Sequence, residues 1–144
     1  MTWKITATLA EKSSMLSVLD TLPEGVELEE IRGESNLSGM GQITISKDGA
    51  VSGRNNVYQI TGTYQNRKVN LELTCPDAQN GTQLDAGVYT LVIKCKVSKE
   101  KLDSYAAGKT YSFQNHAEAT SDQGSMGSVD QTQQWTEDAS GDES

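Results

Sequence analysis

Alternation with a period of two runs through most of this chain and limits its fold more than any other feature. Trp3, Ile5, Ala7 and Leu9 take turns with Lys4, Thr6 and Thr8. Successive side chains of an extended strand point to opposite faces, so this segment reads as a strand with one buried and one wet face. Leu16, Val18 and Asp20 share one face of a second strand, and Pro23 and Gly25 punctuate the turn after it. Val26 and Leu28, with Ile31, resume an extended path. Gly33 to Gly41 is a Gly/Ser/Asn-rich loop. Ile43 and Ile45 form a short strand ending at Lys47-Asp48-Gly49, where Asp-Gly is a strong turn signal.

The second half continues in the same way. A strand within Val57–Tyr64 turns at Gln65-Asn66-Arg67-Lys68 into Val69, Leu71, Leu73 and Cys75, and Pro76 to Gly87 is a polar connection. The clearest strand is Val88–Val97, with Tyr89, Leu91, Ile93, Cys95 and Val97 inward and Thr90, Lys94 and Lys96 outward. Ser98 caps one helical segment, Lys99–Ala107, closed by Gly108. Tyr111, Phe113, Asn115, Ala117 and Ala119 share a strand face. After a turn at Asp122 to Gly127, Val129–Trp135 reads as a last edge strand. Eight or nine short strands and one short helix predict an all-β domain, an antiparallel β-sandwich of immunoglobulin-like type, with a barrel as the alternative.

Charge is placed unevenly. The net charge is −8, yet all 12 basic residues and 13 of the 20 acidic ones fall within residues 1–109. The excess acidity lies in the C-terminal quarter, which disfavours binding to nucleic-acid phosphates. Residues 1–135 read as one domain, and 136–144 as a disordered acidic tail with no apolar anchor. No apolar run is long enough to span a bilayer, and no basic-then-apolar leader precedes the first strand.

Three segments carry a resemblance: Trp3-Lys4-Ile5-Thr6-Ala7-Thr8-Leu9, Val18-Leu19-Asp20-Thr21-Leu22-Pro23-Glu24-Gly25-Val26, and Tyr105-Ala106-Ala107-Gly108-Lys109-Thr110-Tyr111-Ser112-Phe113-Gln114-Asn115-His116-Ala117-Glu118-Ala119-Thr120. In this order and spacing they resemble domains of Gram-positive surface adhesins and fimbrial proteins of the collagen-adhesin (Cna-like) class, over residues 3–135. Leu19 before the Asp, and His116-Ala117-Glu118-Ala119 in place of Thr-Ala-x-Val, depart from the family pattern. The resemblance implies immunoglobulin-like sandwiches on a wall-anchored, extracellular protein. Many members close an internal Lys–Asn isopeptide bond with the help of a buried acid, which implies Asp20 as that acid and Asn115 as the acceptor amide.

Such a bond needs a neutral lysine, a protonated carboxyl and fixed contact between the groups. Parity turns Asp20 and Asn115 inward. It turns Lys4 outward with Thr6 and Thr8, and Lys94 and Lys96 outward likewise. In the family the reactive lysine usually precedes the Trp-x-Ile-Thr segment, where this chain begins. Either that first strand is absent here, leaving Lys4 the nearest but misdirected candidate, or no bond forms and the pair satisfies neighbouring backbone and loops.

Cys75 and Cys95 both fall on inward faces, as a disulfide or as free buried thiols; their spacing fits no metal site. His116, the only histidine, points outward with no second ligand spaced to share a metal. The sequence has no phosphate loop, nucleophile elbow or calcium loop. Asn36-Leu37-Ser38 and Asn80-Gly81-Thr82 match the glycan acceptor pattern by accident of composition. The expectation is therefore a non-enzymatic domain without cofactor or metal. Its partners are neighbouring domains of the same surface protein, or host matrix protein or glycan. A stalk or pilin-like module is the first reading. A ligand-binding head gripping through Gly33–Gly41 and Pro76–Gly87 is the second.

Overall fold

The computed structural model describes residues 1–35, 43–45, 49–54, 58–75, 81–104 and 108–136. Among them, the alternating segments form ten strands and one short helix: β1 (Thr2–Leu9), β2 (Leu16–Thr21), β3 (Val26–Ser35), β4 (Ile43–Ile45), β5 (Ala50–Arg54), β6 (Gln59–Gln65), β7 (Lys68–Thr74), β8 (Gly87–Val97), α1 (Lys99–Ser104), β9 (Thr110–Ser121) and β10 (Gly124–Thr136). They build a three-stranded sheet, β1-β8-β3, and a seven-stranded sheet, β10-β9-β2-β7-β6-β5-β4. The pairings between these strands are antiparallel. One apolar cluster takes side chains from both sheets, including Trp3, Ile5, Leu91 and Ile93 from one and Val18, Ile60, Leu71 and Phe113 from the other. The expected β-sandwich with a short helix is what forms.

Local chemistry explains the joints. In the β6–β7 hairpin, Gln65 pairs with Lys68 across a two-residue turn, and both central residues, Asn66 (φ 53°) and Arg67 (φ 64°), are left-handed. That is the turn whose twist suits a hairpin, and Asn tolerates it well. Arg67 is held there by Leu22, whose N–H donates to its carbonyl (2.8 Å) and whose carbonyl accepts from its Nη1 (3.1 Å). Ser98 accepts the N–H of Lys101 at 3.3 Å, capping α1 as its sequence predicts.

β3 shows why a strand can change parity. Val26 and Leu28 are buried, yet so is Ile31, an odd step away. Leu28 sits opposite Cys95 and Glu30 opposite Lys94, so Glu29 is an extra residue in a bulge that returns Ile31 to the core. The structure adds β5 to the strands expected from the sequence. Only Val51 of β5 is buried, which leaves too thin a pattern to read. β10 starts at Gly124, five residues earlier than expected, because the turn after β9 takes only Asp122 and Gln123. The predicted tail lies outside the described residues from 137 onward, and so do 36–42 and 76–80 of the two predicted loops and 105–107 of the predicted helix.

Along β1 and β10 the two sheets meet in a seam. Gln133 and Gln131 on β10 donate from Nε2 to the carbonyls of Thr2 (2.7 Å) and Lys4 (2.6 Å) on β1. β1 therefore begins, and β10 ends, at the same end of the sandwich.

Candidate functional site

β2 lies between β7 and β9, with Asp20 opposite Val69 on one side and Ala117 on the other. Asn115, two residues from Ala117 along β9, shares its inward face and is the diagonal neighbour of Asp20. Both side chains are sealed, at 0 % and 1 % exposure. Asn115 donates from Nδ2 to Asp20 Oδ2 at 2.5 Å. The remaining carboxylate oxygen, Asp20 Oδ1, and the amide oxygen, Asn115 Oδ1, have no hydrogen-bond partner among the described residues.

Burial is the largest influence on Asp20. It pushes the carboxyl from its ordinary 3.8 up to about 6, against the opposing pull of the Asn115 hydrogen bond and the charge of His116. A proton taken up by Asp20 gives the pair its missing donor, since two acceptor oxygens stand beside one existing bond. The arrangement is a carboxylic acid set to polarise a neighbouring carboxamide, which is the acid and amide half of amide-exchange chemistry.

The amine half is not brought to it. Lys4 is exposed on the opposite face of β1. Lys94 and Lys96 point outward from β8 toward Glu29 and Glu27 at 3.9 Å and 4.0 Å. No described lysine is buried. The inward side chain of β1 at this level is Trp3. Gln131 stands opposite Asn115 and bonds Lys4, and Gln133 stands opposite Phe113 and bonds Thr2, so Trp3 falls between those two levels. Its indole is fully buried, and Nε1 has no partner.

Cys95 faces the pair from β8. Burial pushes its thiol up to about 12, with the Asp20 charge adding to the rise. Cys75 neighbours Tyr89, whose hydroxyl burial also pushes up to about 12, with Tyr58, Asp85 and Cys75 as lesser contributors. Both cysteines are buried free thiols. Tyr89 and Cys95 are six residues apart on one strand, about 20 Å at the usual rise, so the thiols occupy opposite ends of the sandwich. A disulfide needs Cα atoms within about 7 Å.

His116 points outward as parity requires, but it is not idle. Nδ1 lies 2.5 Å from Asp130 Oδ1 and Nε2 lies 3.2 Å from Glu118 Oε1. The hydrogen bond to Asp130, then that to Glu118, hold its pKa above the ordinary 6.5. Among the described residues, no cluster of His, Cys, Asp and Glu is arranged to hold a metal. The sequence reading missed Trp3 beside the pair, the glutamine clamp and the His116 carboxylates. The alternating Val129, Gln131 and Gln133 were the one available signal for the clamp.

No family model matches the chain, and no curated protein matches it. Solved structures do. The N-terminal domain of a Streptococcus gordonii adhesin aligns over 94 % of this chain with a TM-score of 0.54 at 11 % identity. This chain spans 28 % of that protein's chain. The collagen-binding subdomain of the Enterococcus faecalis surface protein ACE aligns over 92 % of this chain and 84 % of its own, with a TM-score of 0.48 at 13 % identity. The sandwich is thus a fold found in an adhesin domain of a Gram-positive surface protein.

Proposed function

We propose that this chain is a non-enzymatic, extracellular adhesin domain of a Gram-positive wall-anchored protein, and that it displays a binding surface rather than carrying load in line. The adhesin part is supported by the three sequence segments together with the shared fold. The display part is supported by one observation: β1 starts and β10 ends side by side, clasped by Gln131 and Gln133. An in-line stalk of the kind first expected transmits force best when its ends lie at opposite poles, loading many strand bonds at once. Here a pull on β1 and β10 from their shared end would load the seam bonds one after another. Partners in this reading are host matrix protein or glycan, and neighbouring domains of the same surface protein. Pulling the domain by its two chain ends in a force spectrometer tests it. The reading predicts peeling at low force, and a single high-force shear event would restore the stalk.

We further propose that Asp20 and Asn115 form the acid and amide of a cross-linking site to which the described residues bring no buried lysine. An amine condensing with Asn115 would expel ammonia. No described lysine is buried, so the lysine that completes the site would come from polypeptide outside the described residues.

A further inference from the structure

We infer that Trp3, Asp20 and Asn115 together bind one buried water molecule, and that Trp3 positions the acid–amide pair through it. Among the described residues, three buried side-chain polar atoms have no hydrogen-bond partner: Trp3 Nε1, Asp20 Oδ1 and Asn115 Oδ1. All three belong to one part of the core. Asp20 and Asn115 touch each other from β2 and β9. Across the sandwich, Cys95 on β8 lies close enough for the Asp20 charge to act on its thiol. Met1 pairs with Cys95 and Trp3 with Ile93, so Trp3 is the inward diagonal neighbour of Cys95. The indole thus faces the pair from the opposite sheet.

The three atoms are complementary to one kind of guest. The indole N–H only donates, and the two oxygens accept. A water molecule accepts from the first and donates to the other two, and three bonds are usual for a buried water. A cation would set its charge against the indole N–H, and an anion against Asp20, so the guest is neutral. An apolar guest would strand all three atoms. Immobilising one water costs less than that. When Asp20 is protonated, its own O–H can serve Asn115, but the indole still needs the water as its acceptor. Access is short. Ala117, opposite Asp20, and Ile5, two residues from Trp3, line a groove of about 600 Å³ whose rim carries the exposed Glu11 and Glu118. Such a water is bound whether or not an amine ever reaches Asn115, so the cross-linking reading can fail without it.

Nuclear magnetic resonance on the nitrogen-15-labelled full chain tests this, in phosphate buffer at pH 8, where Asp20 is ionised and holds no exchanging proton. The chain has two tryptophans, so Trp135→Phe assigns the Trp3 indole signal. We expect a nuclear Overhauser contact from the Trp3 indole proton at the water frequency, with the sign of a long-lived bound molecule. Cys95→Ala should keep that contact, which removes relay through the thiol proton. Trp3→Phe keeps a ring and deletes the donor. Asn115 from β9, Cys95 from β8 and the outer His116 charge also act on Asp20, and β7 presents Val69; all are unchanged in this variant. With the water lost, the Asp20 carboxyl titration followed by carbon-13 should move up by about one pH unit. No water contact in the native chain, its loss in Cys95→Ala, or an Asp20 midpoint that stays or falls in Trp3→Phe, as it would if Trp3 only packs, would each overturn the proposal.

Discussion

Asn115 hands a 2.5 Å hydrogen bond to Asp20 across 95 residues of sequence, inside a core that excludes water from both groups. The bond leaves one oxygen on each side without a donor. A pair so placed is costly when ionised and well satisfied when one proton is shared. Its behaviour should therefore follow pH and substitution in a definite way.

The pH dependence has a fixed sign. Folding raises the Asp20 pKa from 3.8 to about 6, so the folded chain binds the proton more tightly than the unfolded one. Stability from this group is greatest below about pH 4 and falls as pH rises to about 6. The loss is roughly 3 kcal/mol in all. Asp20→Asn keeps an amide in place of the acid and cannot ionise. Urea melts should find it close to the native chain at pH 4 and more stable at pH 8.

Asn115→Ala should destabilise at every pH, because it removes the one donor that Asp20 has. The expected loss is about 1–3 kcal/mol from the unpaired polar group, and larger at pH 8 than at pH 4. A chemical-denaturation series at the two values checks both statements.

His116 adds a second, outer window. Its pKa is raised by Asp130 and Glu118, so its contribution is complete below 6.5 and fades as pH climbs through the raised value. His116→Gln should remove that fall and, because the His116 charge holds the Asp20 pKa down, should carry the Asp20 window toward higher pH. Thermal melts from pH 6 to 9 would show it.

The bulge in β3 makes a counter-intuitive forecast. Deleting Glu29 leaves Val26, Leu28 and Ile31 still opposite Val97, Cys95 and Ile93. The deletion should be tolerated to within about 1 kcal/mol. Deleting Arg32 instead flips the rest of the strand and should unfold the edge. Amide exchange across β8 distinguishes the two.

Gly62 on β6 is fixed by space. A Cβ added there would collide with the carbonyl oxygen of Asn70 on the paired strand. Gly62→Ala should therefore cost several times the few tenths of a kcal/mol usual for a surface change, roughly 2 kcal/mol or more, by urea melt.

The inward turn of Asp20 and Asn115 was legible in the sequence because strand parity needs no knowledge of topology. Their adjacency was not, since nothing local says that β2 pairs with β9. Parity also put both cysteines in the core, but it cannot tell which end of a sandwich each occupies. The bulge at Glu29 was hidden because two consecutive glutamates fit either register.

Intact mass under denaturing conditions tests most directly whether the Asp20–Asn115 site is open. With no described lysine buried beside the pair, the purified chain should have the mass calculated from its sequence, and the two cysteines should both alkylate. A mass about 17 Da lower, the ammonia released when an amine condenses with Asn115, would contradict the account.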